Sequence, residues 1–142
     1  MTYISQHFKP YELLPKAIYN ELELNNKLHY TWLLFDDRVL KTLDTLRECF
    51  GVTNMNNWFW DGNNQYKGWR PSNCSIGAKY SQHKFGRGAD PTFKNVEAEF
   101  VRNYVFKNRD KFPYITAIEM NISWFHYDVR NKNSKEIIKI YP

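Results

Sequence analysis

The sequence predicts an α+β fold: a single domain spanning residues 1–142, with N-terminal helices packed on a small, mostly antiparallel sheet. Three observations support this prediction. The chain has 142 residues, enough for one domain with its own hydrophobic core. Helical periodicity dominates up to about residue 108, whereas three short runs typical of strands follow it. Because helices and strands are segregated along the chain, the order favours α+β over a repeated βαβ arrangement.

The clearest helix is predicted over residues 36–50, DDRVLKTLDTLRECF. Asp36 or Asp37 can cap its first turn, and Gly51 can end it. The apolar side chains that recur at helical spacing are Val39, Leu43, Leu46 and Phe50. This stripe indicates a helix that buries one face in the core.

The remaining segments before residue 110 give weaker signals. Residues 10–15, PYELLP, are bracketed by prolines and predict a turn or a brief helix. Residues 52–60, VTNMNNWFW, indicate a strand that enters a polar loop over residues 61–73. A second helix is predicted over residues 95–108, with one apolar stripe formed by Val96, Phe100, Val101, Tyr104 and Val105.

Three strands are predicted in the last part of the chain, at residues 115–120, 123–130 and 135–141. We expect them to be antiparallel neighbours. In the middle strand, a period of two puts one set of side chains on one face: Trp124, His126, Asp128 and Arg130. The other face is mostly apolar and suits the core. The polar face indicates either a functional site or a half-exposed strand with its polar residues in water.

A metal site is indicated by the stretch SQHKFGRGADP, residues 81–91, which places His83 and Asp90 on a Gly-rich, sharply bending loop. Catalytic zinc sites use three His or carboxylate ligands and keep a fourth position for water. His126 would complete such a set. No HExxH motif occurs in the chain, so the common zincin arrangement is excluded.

These residues carry a resemblance to a known family. Ser81, His83, Gly86 and Asp90 match the signature S-x-H-x-x-G-x-A-x-D of the zinc D-alanyl-D-alanine peptidases. That family shares its fold with hedgehog signalling domains. Its third zinc-binding histidine lies on a later strand, in contexts similar to WFHYDVR here.

Two further segments extend the resemblance. The arginine of GWRP, Arg70, resembles the substrate-contacting arginine that precedes the histidine signature in the family. The opening HFKPYELLP is similar to the start of small phage-encoded members, the endolysins. The motifs follow the family order across residues 36–130.

The resemblance implies one zinc peptidase-like domain with one Zn²⁺ per chain, bound by His83, Asp90 and His126. It implies hydrolysis of peptide stems of bacterial peptidoglycan, as a DD-carboxypeptidase or an L-alanyl-D-glutamate-type endopeptidase. Arg70 would hold a substrate carboxylate or the developing oxyanion. Ser81 would bind the substrate or orient the loop. Asp128 is assigned to substrate binding, or alternatively to orienting a ligand or pairing with Arg130.

Two departures from the family pattern affect this interpretation. Gly88 stands where the family usually has alanine. Many members carry their catalytic glutamate three residues before the last histidine, and Ser123 occupies that position here. Serine is not a suitable general base. Other branches place the glutamate on the preceding strand, so we expect Glu119 to serve, with Asp128 and Asp61 as competitors.

Two alternatives use the same residues differently. A cysteine peptidase would use Cys74 as nucleophile and His83 or His126 as base. A non-catalytic module would keep the metal and bind the wall, or form part of a virion, without turnover. Ser123 at the glutamate position favours the second alternative.

Composition and the N-terminal sequence limit which partners and which location we expect. The net charge is +5, but Lys and Arg are scattered, so we predict neither nucleic acid nor a membrane as partner. Cys49 and Cys74 are too few for a disulfide framework and indicate free thiols. The N-terminus shows no secretory signal. We expect a monomer made in the host cytoplasm that acts on the wall after release or as part of a virion.

Overall fold

Four α-helices and six short strands form the regular structure of residues 2–142, which a computed structural model describes. The helices are α1 (Pro10–Leu13), α2 (Lys16–Leu24), α3 (Asp37–Phe50) and α4 (Ala98–Lys107). The strands are β1 (Thr53–Asn54), β2 (Gly88–Ala89), β3 (Thr92–Phe93), β4 (Ala117–Glu119), β5 (Tyr127–Asp128) and β6 (Ile138–Ile140). Helices and small sheets share one core, which confirms the α+β prediction.

The main sheet has four strands in the order β2-β5-β4-β6, and β1 and β3 form a separate antiparallel pair. β5 lies between β2 and β4 and is antiparallel to both. The sheet is therefore mostly antiparallel, as predicted. β6, however, runs parallel to β4, so the expectation of three antiparallel neighbours is wrong for this strand. β5 ends opposite Ala117, where β4 begins, so the connection only has to cross that end of β4 before β6 starts beside the same residue.

Helix α3 forms as predicted and supplies much of the core. The Asp36 side chain caps it by accepting from the Arg38 backbone N–H at 3.0 Å. Gly51 ends it with φ at +79°, a conformation that glycine adopts without strain. Its fully buried apolar side chains are Val39, Leu40, Leu43 and Leu46. The second predicted helix also forms, as α4.

Two segments differ from the predictions. Residues 52–60 form a strand only at Thr53–Asn54, after which Trp58–Trp60 turns into a 3-10 helix. The Trp58 indole donates to the Leu14 carbonyl at 2.8 Å. This contact with the N-terminal segment directs the chain away from β3, the partner strand of β1. Helix α2 was not predicted, because Tyr19 is its only buried residue and its apolar stripe is correspondingly weak.

The middle predicted strand shows the expected alternation. Phe125, Tyr127 and Val129 are buried in the core, and the Tyr127 hydroxyl donates to the Val39 carbonyl at 2.8 Å. His126 and Asp128 point to the opposite side. Regular pairing is limited to Tyr127–Asp128, so the strand is shorter than predicted.

Both cysteines are free thiols, Cys49 exposed and Cys74 half-buried. Within residues 2–142, no helix combines the length and the apolar character needed to cross a bilayer.

The N-terminal segment is fixed to α3 by one buried carboxylate, Asp44. It accepts from the Tyr3 hydroxyl at 2.7 Å, the Ser5 hydroxyl at 2.6 Å and the Gln6 backbone N–H at 2.8 Å. Burial, together with the bond to Asp44, raises the pKa of Tyr3 to about 12. Asp44 therefore joins residues some 40 positions apart in the chain.

We predict that Asp44→Ala lowers the free energy of unfolding by about 3 kcal/mol, because the buried Ser5 hydroxyl and the partly buried donors beside it lose their acceptor. Urea denaturation of the purified variant measures the change. Asp110→Ala serves as the control, since Asp110 is exposed, and it should shift stability by less than about 0.5 kcal/mol. Equal stability of both variants would mean that Asp44 does not fix the segment.

Candidate active site

The register of the main sheet brings three functional side chains together. β5 pairs with β2 on one side and with β4 on the other. One residue beyond these pairs, Asp90 and Glu119 flank His126 across the sheet. The Glu119 backbone N–H donates to the His126 carbonyl at 3.3 Å. Residues directly opposite in antiparallel strands present their side chains on the same face, so all three reach the same space.

His83 comes from a different element, a 3-10 turn over Gln82–Phe85. The Ser81 hydroxyl accepts from the His83 backbone N–H at 3.4 Å, at the start of this turn. Gly86 ends the turn with φ at +66°, and a Cβ there would lie 1.9 Å from the Leu34 carbonyl oxygen. The glycine of the signature is therefore required both for its conformation and for its close contact with the chain before α3.

The side chains of His83, Asp90 and His126 converge, as predicted for metal ligands. The Asp90 Oδ1 atom lies 2.7 Å from His126 Nδ1 and 3.2 Å from His83 Nε2. One ligand atom from each residue lies within 4.8 Å of the others, and the group could hold a metal ion. Both histidines are buried, and the Asp90 side chain is 14% exposed.

The hydrogen bonds behind the two histidines determine which nitrogen faces the site. His83 Nδ1 lies 2.7 Å from the Gly68 carbonyl oxygen, which can only accept, so this nitrogen carries the proton. His126 Nε2 lies 3.0 Å from the Asp128 carboxylate and carries the proton for the same reason. In the neutral rings, His83 Nε2 and His126 Nδ1 therefore present lone pairs beside Asp90. This donor set and its outer hydrogen bonds fit a divalent metal ion.

Gly68 reaches His83 because it lacks a side chain. A Cβ on Gly68 would lie 2.4 Å from the Leu13 carbonyl oxygen. The next residue, Trp69, donates its backbone N–H to the same carbonyl at 3.0 Å. The end of α1 thus determines where the Gly68 carbonyl lies. Sequence reasoning missed Gly68, and only its place two residues before Arg70 could have drawn attention to it.

Asp128 orients His126 from the side of the ring that faces away from the cleft. Its carboxylate is fully buried and accepts from Arg130 Nε at 2.7 Å and Nη2 at 2.6 Å. Burial opposes ionisation, but the hydrogen bonds from Arg130 and His126 lower the pKa of Asp128. Asp128 pairs across the sheet with Gly88 and Ala117, whose small size leaves room for it. Asp128 itself does not line the cleft. The substrate-binding role assigned to it above could therefore act only through His126 or Arg130.

Gly88 has a role of its own beside the site. A Cβ at this position would lie 3.1 Å from His126 Cε1 and 3.4 Å from the His83 backbone nitrogen. The first of these contacts is closer than an ordinary van der Waals distance. An alanine at this position would therefore require the His126 ring to move by a few tenths of an ångström.

The electrostatics of the group favour a bound cation. Burial disfavours ionised Asp90, but bonds to His126 and His83 outweigh it and hold the pKa of Asp90 far below its usual range. For His126, burial opposes the charge, whereas the bonds to Asp128 and Asp90 raise the pKa to about 9. A carboxylate between two imidazoles thus attracts positive charge, which a proton or a metal ion can supply.

Arg70 is buried, with 8% exposure, so it is not a surface residue of the loop. Its Nε donates to the Tyr66 carbonyl at 2.7 Å and its Nη1 to the Ile76 carbonyl at 3.3 Å. Its Nη2 lies 3.3 Å from Asp90 Oδ2. The guanidinium is therefore held in one orientation beside a candidate metal ligand.

A cleft of about 720 Å³ opens over this group. Glu119, Arg70 and Ser81 line it together with the three candidate ligands. Asp61 and Cys74 do not line it. Of the three acids considered as base, Glu119 is thus the one with access to the cleft. The predicted strand face placed Trp124 and Arg130 here, whereas sequence reasoning missed other residues of the walls, namely Lys67, Ile76, Gln82 and Ile140.

Comparisons with known proteins do not extend this picture. No family model, no curated protein and no solved structure matches this chain. The chemistry assigned to the site therefore depends on its geometry and on the motifs of the sequence.

We predict that His83→Ala abolishes binding of one divalent ion per chain, since it removes one of three ligands. Metal content after dialysis against Zn²⁺ and then metal-free buffer, measured by plasma mass spectrometry, tests this. His29→Ala is the matched control, because His29 is exposed and distant in sequence. The site is wrong if parent, His83→Ala and His29→Ala retain the same amount of metal.

Proposed function

We propose that this chain is a zinc-dependent peptidase that hydrolyses peptide stems of bacterial peptidoglycan. The proposal includes a relationship to the zinc D-alanyl-D-alanine peptidases and a hedgehog-like fold. The bond cut would be that of a DD-carboxypeptidase or of an L-alanyl-D-glutamate-type endopeptidase. One observation carries the proposal: His83, Asp90 and His126 converge beneath a cleft that Glu119 also lines.

Two histidines and one carboxylate are the ligand set of a catalytic zinc ion. Structural zinc sites have four protein ligands, whereas the converging group here has three. When bound, Zn²⁺ would supply a Lewis acid that lowers the pKa of water and polarises the peptide carbonyl. His83 and His126 fit this ion because Gly68 and Asp128 already hold their outer nitrogens.

The chain's own residues perform the remaining steps. A Glu119 carboxylate oxygen takes the proton from water as it attacks the carbonyl carbon. The same oxygen then delivers that proton to the nitrogen of the leaving amine. Arg70 holds a substrate carboxylate or the developing oxyanion with its fixed guanidinium. Ser81 lines the cleft and can donate its hydroxyl to the substrate.

We predict that Glu119→Gln lowers the rate of peptidoglycan hydrolysis by about 10²-fold or more, the usual scale for losing a general base. Metal content and thermal stability should stay at the parent level, because Glu119 is not a ligand. The assay follows new amino and carboxyl termini in purified peptidoglycan by mass spectrometry. A chelator should abolish activity, and added Zn²⁺ should restore it.

The matched control is Glu21→Gln, an exposed glutamate of α2, which should leave the rate unchanged. Parent-level hydrolysis by Glu119→Gln would exclude Glu119 as base. A protein that binds Zn²⁺ and peptidoglycan but releases no termini would be the non-catalytic module. Loss of activity on alkylation of Cys74 would favour the cysteine peptidase.

We predict that Arg70→Lys lowers kcat/KM by at least about tenfold, because an ammonium cannot replace the bidentate fork of a guanidinium. Metal content should be unchanged, since the ligands remain. Arg109→Lys is the control, as Arg109 does not line the cleft. An unchanged kcat/KM for Arg70→Lys would limit Arg70 to a structural role.

The proposed setting is phage lysis. The chain would be made in the host cytoplasm and reach the wall after release, or it would act as part of a virion. It would work as a monomer on the peptide stems, with neither nucleic acid nor a membrane as partner. The similarity of HFKPYELLP to small phage members supports this setting.

A further inference from the structure

Lys67 lies at the edge of the cleft and has no role in the mechanism above. Its backbone is fixed on both sides: the N–H donates to Asn56 Oδ1 at 3.0 Å, and the carbonyl accepts from the Asp90 N–H at 2.9 Å. Its Nζ donates to Thr92 Oγ1 at 2.6 Å. The Lys67 backbone is therefore fixed beside Asp90, a candidate metal ligand, and its ammonium is held at Thr92.

The charge of Lys67 has no ion-pair partner among the described residues, since no carboxylate there lies within 4 Å of its Nζ. The side chain is half-buried. Burial lowers the pKa of Lys67, while the Asp90 charge opposes this effect. An ammonium has three protons to donate, and Thr92 accepts one. Lys67 lines the cleft, and its ammonium has donors left over. It is therefore suited to bind an anionic group of a molecule in the cleft.

The donors of Arg70 are held differently from those of Lys67. Its guanidinium already donates to two backbone carbonyls and to Asp90. Lys67 carries no such set of contacts. The two cations therefore offer two different positions in the cleft, one beside the metal ligands and one at Thr92.

We propose that Lys67 binds a carboxylate of the substrate, at a position separate from the group held by Arg70. The inference rests on the proposed function, because it concerns the stem peptide in the same cleft. The substrate class is thereby narrowed to stem peptides with a free carboxylate at that position, and amidated stems are poorer ligands. Amidation removes the negative charge and hardly changes the size of the group, so Lys67 distinguishes the two forms by charge.

The test uses synthetic stem peptides in which one carboxylate at a time is replaced by a carboxamide. Calorimetric titration measures their binding to the zinc-loaded Glu119→Gln protein, so no turnover is needed. One amidated peptide should bind about tenfold more weakly than the free acid, the scale of one charged hydrogen bond. With Lys67→Met added, the two peptides should bind equally. Lys67→Arg should keep the difference.

Lys94→Met is the matched control, an exposed lysine that does not line the cleft, and it should keep the full difference. Lys67→Gln provides a second neutral variant, and the zinc content of each variant shows that the site is intact. The inference is overturned if every amidated peptide binds the Glu119→Gln protein as tightly as the free acid does, or if the difference survives when Lys67→Met and Lys67→Gln are each added. Failure of the proposed function shows separately, as an absence of hydrolysis by the parent protein.

Discussion

The position of β5 between β2 and β4 is the constraint on which the site depends. This register sets Asp90 and Glu119 beside His126 and seats Asp128 behind it. Because side chains alternate across a strand, a slip of one residue would turn His126 and Asp128 into the core. The buried Phe125, Tyr127 and Val129 on the other face prevent such a slip. The hydrophobic core thus holds the polar face of the same strand in register.

The remaining parts of the site depend on contacts with the N-terminal half. Gly68 packs against the Leu13 carbonyl, and Gly86 packs against the Leu34 carbonyl. The first contact aims a backbone acceptor at His83, and the second fixes the turn that carries it. Asp44 in turn fixes the chain that precedes α1 to α3. The N-terminal half therefore also determines where His83, one of the candidate ligands, lies.

The elements with strong local signals could be predicted. Helix α3 has an apolar stripe, an aspartate cap and a terminal glycine, all of which act within a few residues. The direction of β6 could not be predicted, since it follows from the path of the chain after β5. The strand at β1 was predicted, but its early end was not, because that end depends on a distant contact from Trp58 to the Leu14 carbonyl. Local patterns do not contain such long-range contacts.

The sequence by itself determined which functional side chains are available for the site: two histidines, an aspartate and an arginine, in motifs that resemble those of a zinc peptidase. It also determined the alternation that places His126 and Asp128 on one face. Only the tertiary structure decided which acid has access to the cleft, because Glu119 reaches it through strand pairing, whereas Asp128 is buried behind His126. Only the tertiary structure showed that Gly68 and Lys67 belong to the site. Their roles depend on neighbours far along the chain, and residue type and local spacing do not specify those neighbours.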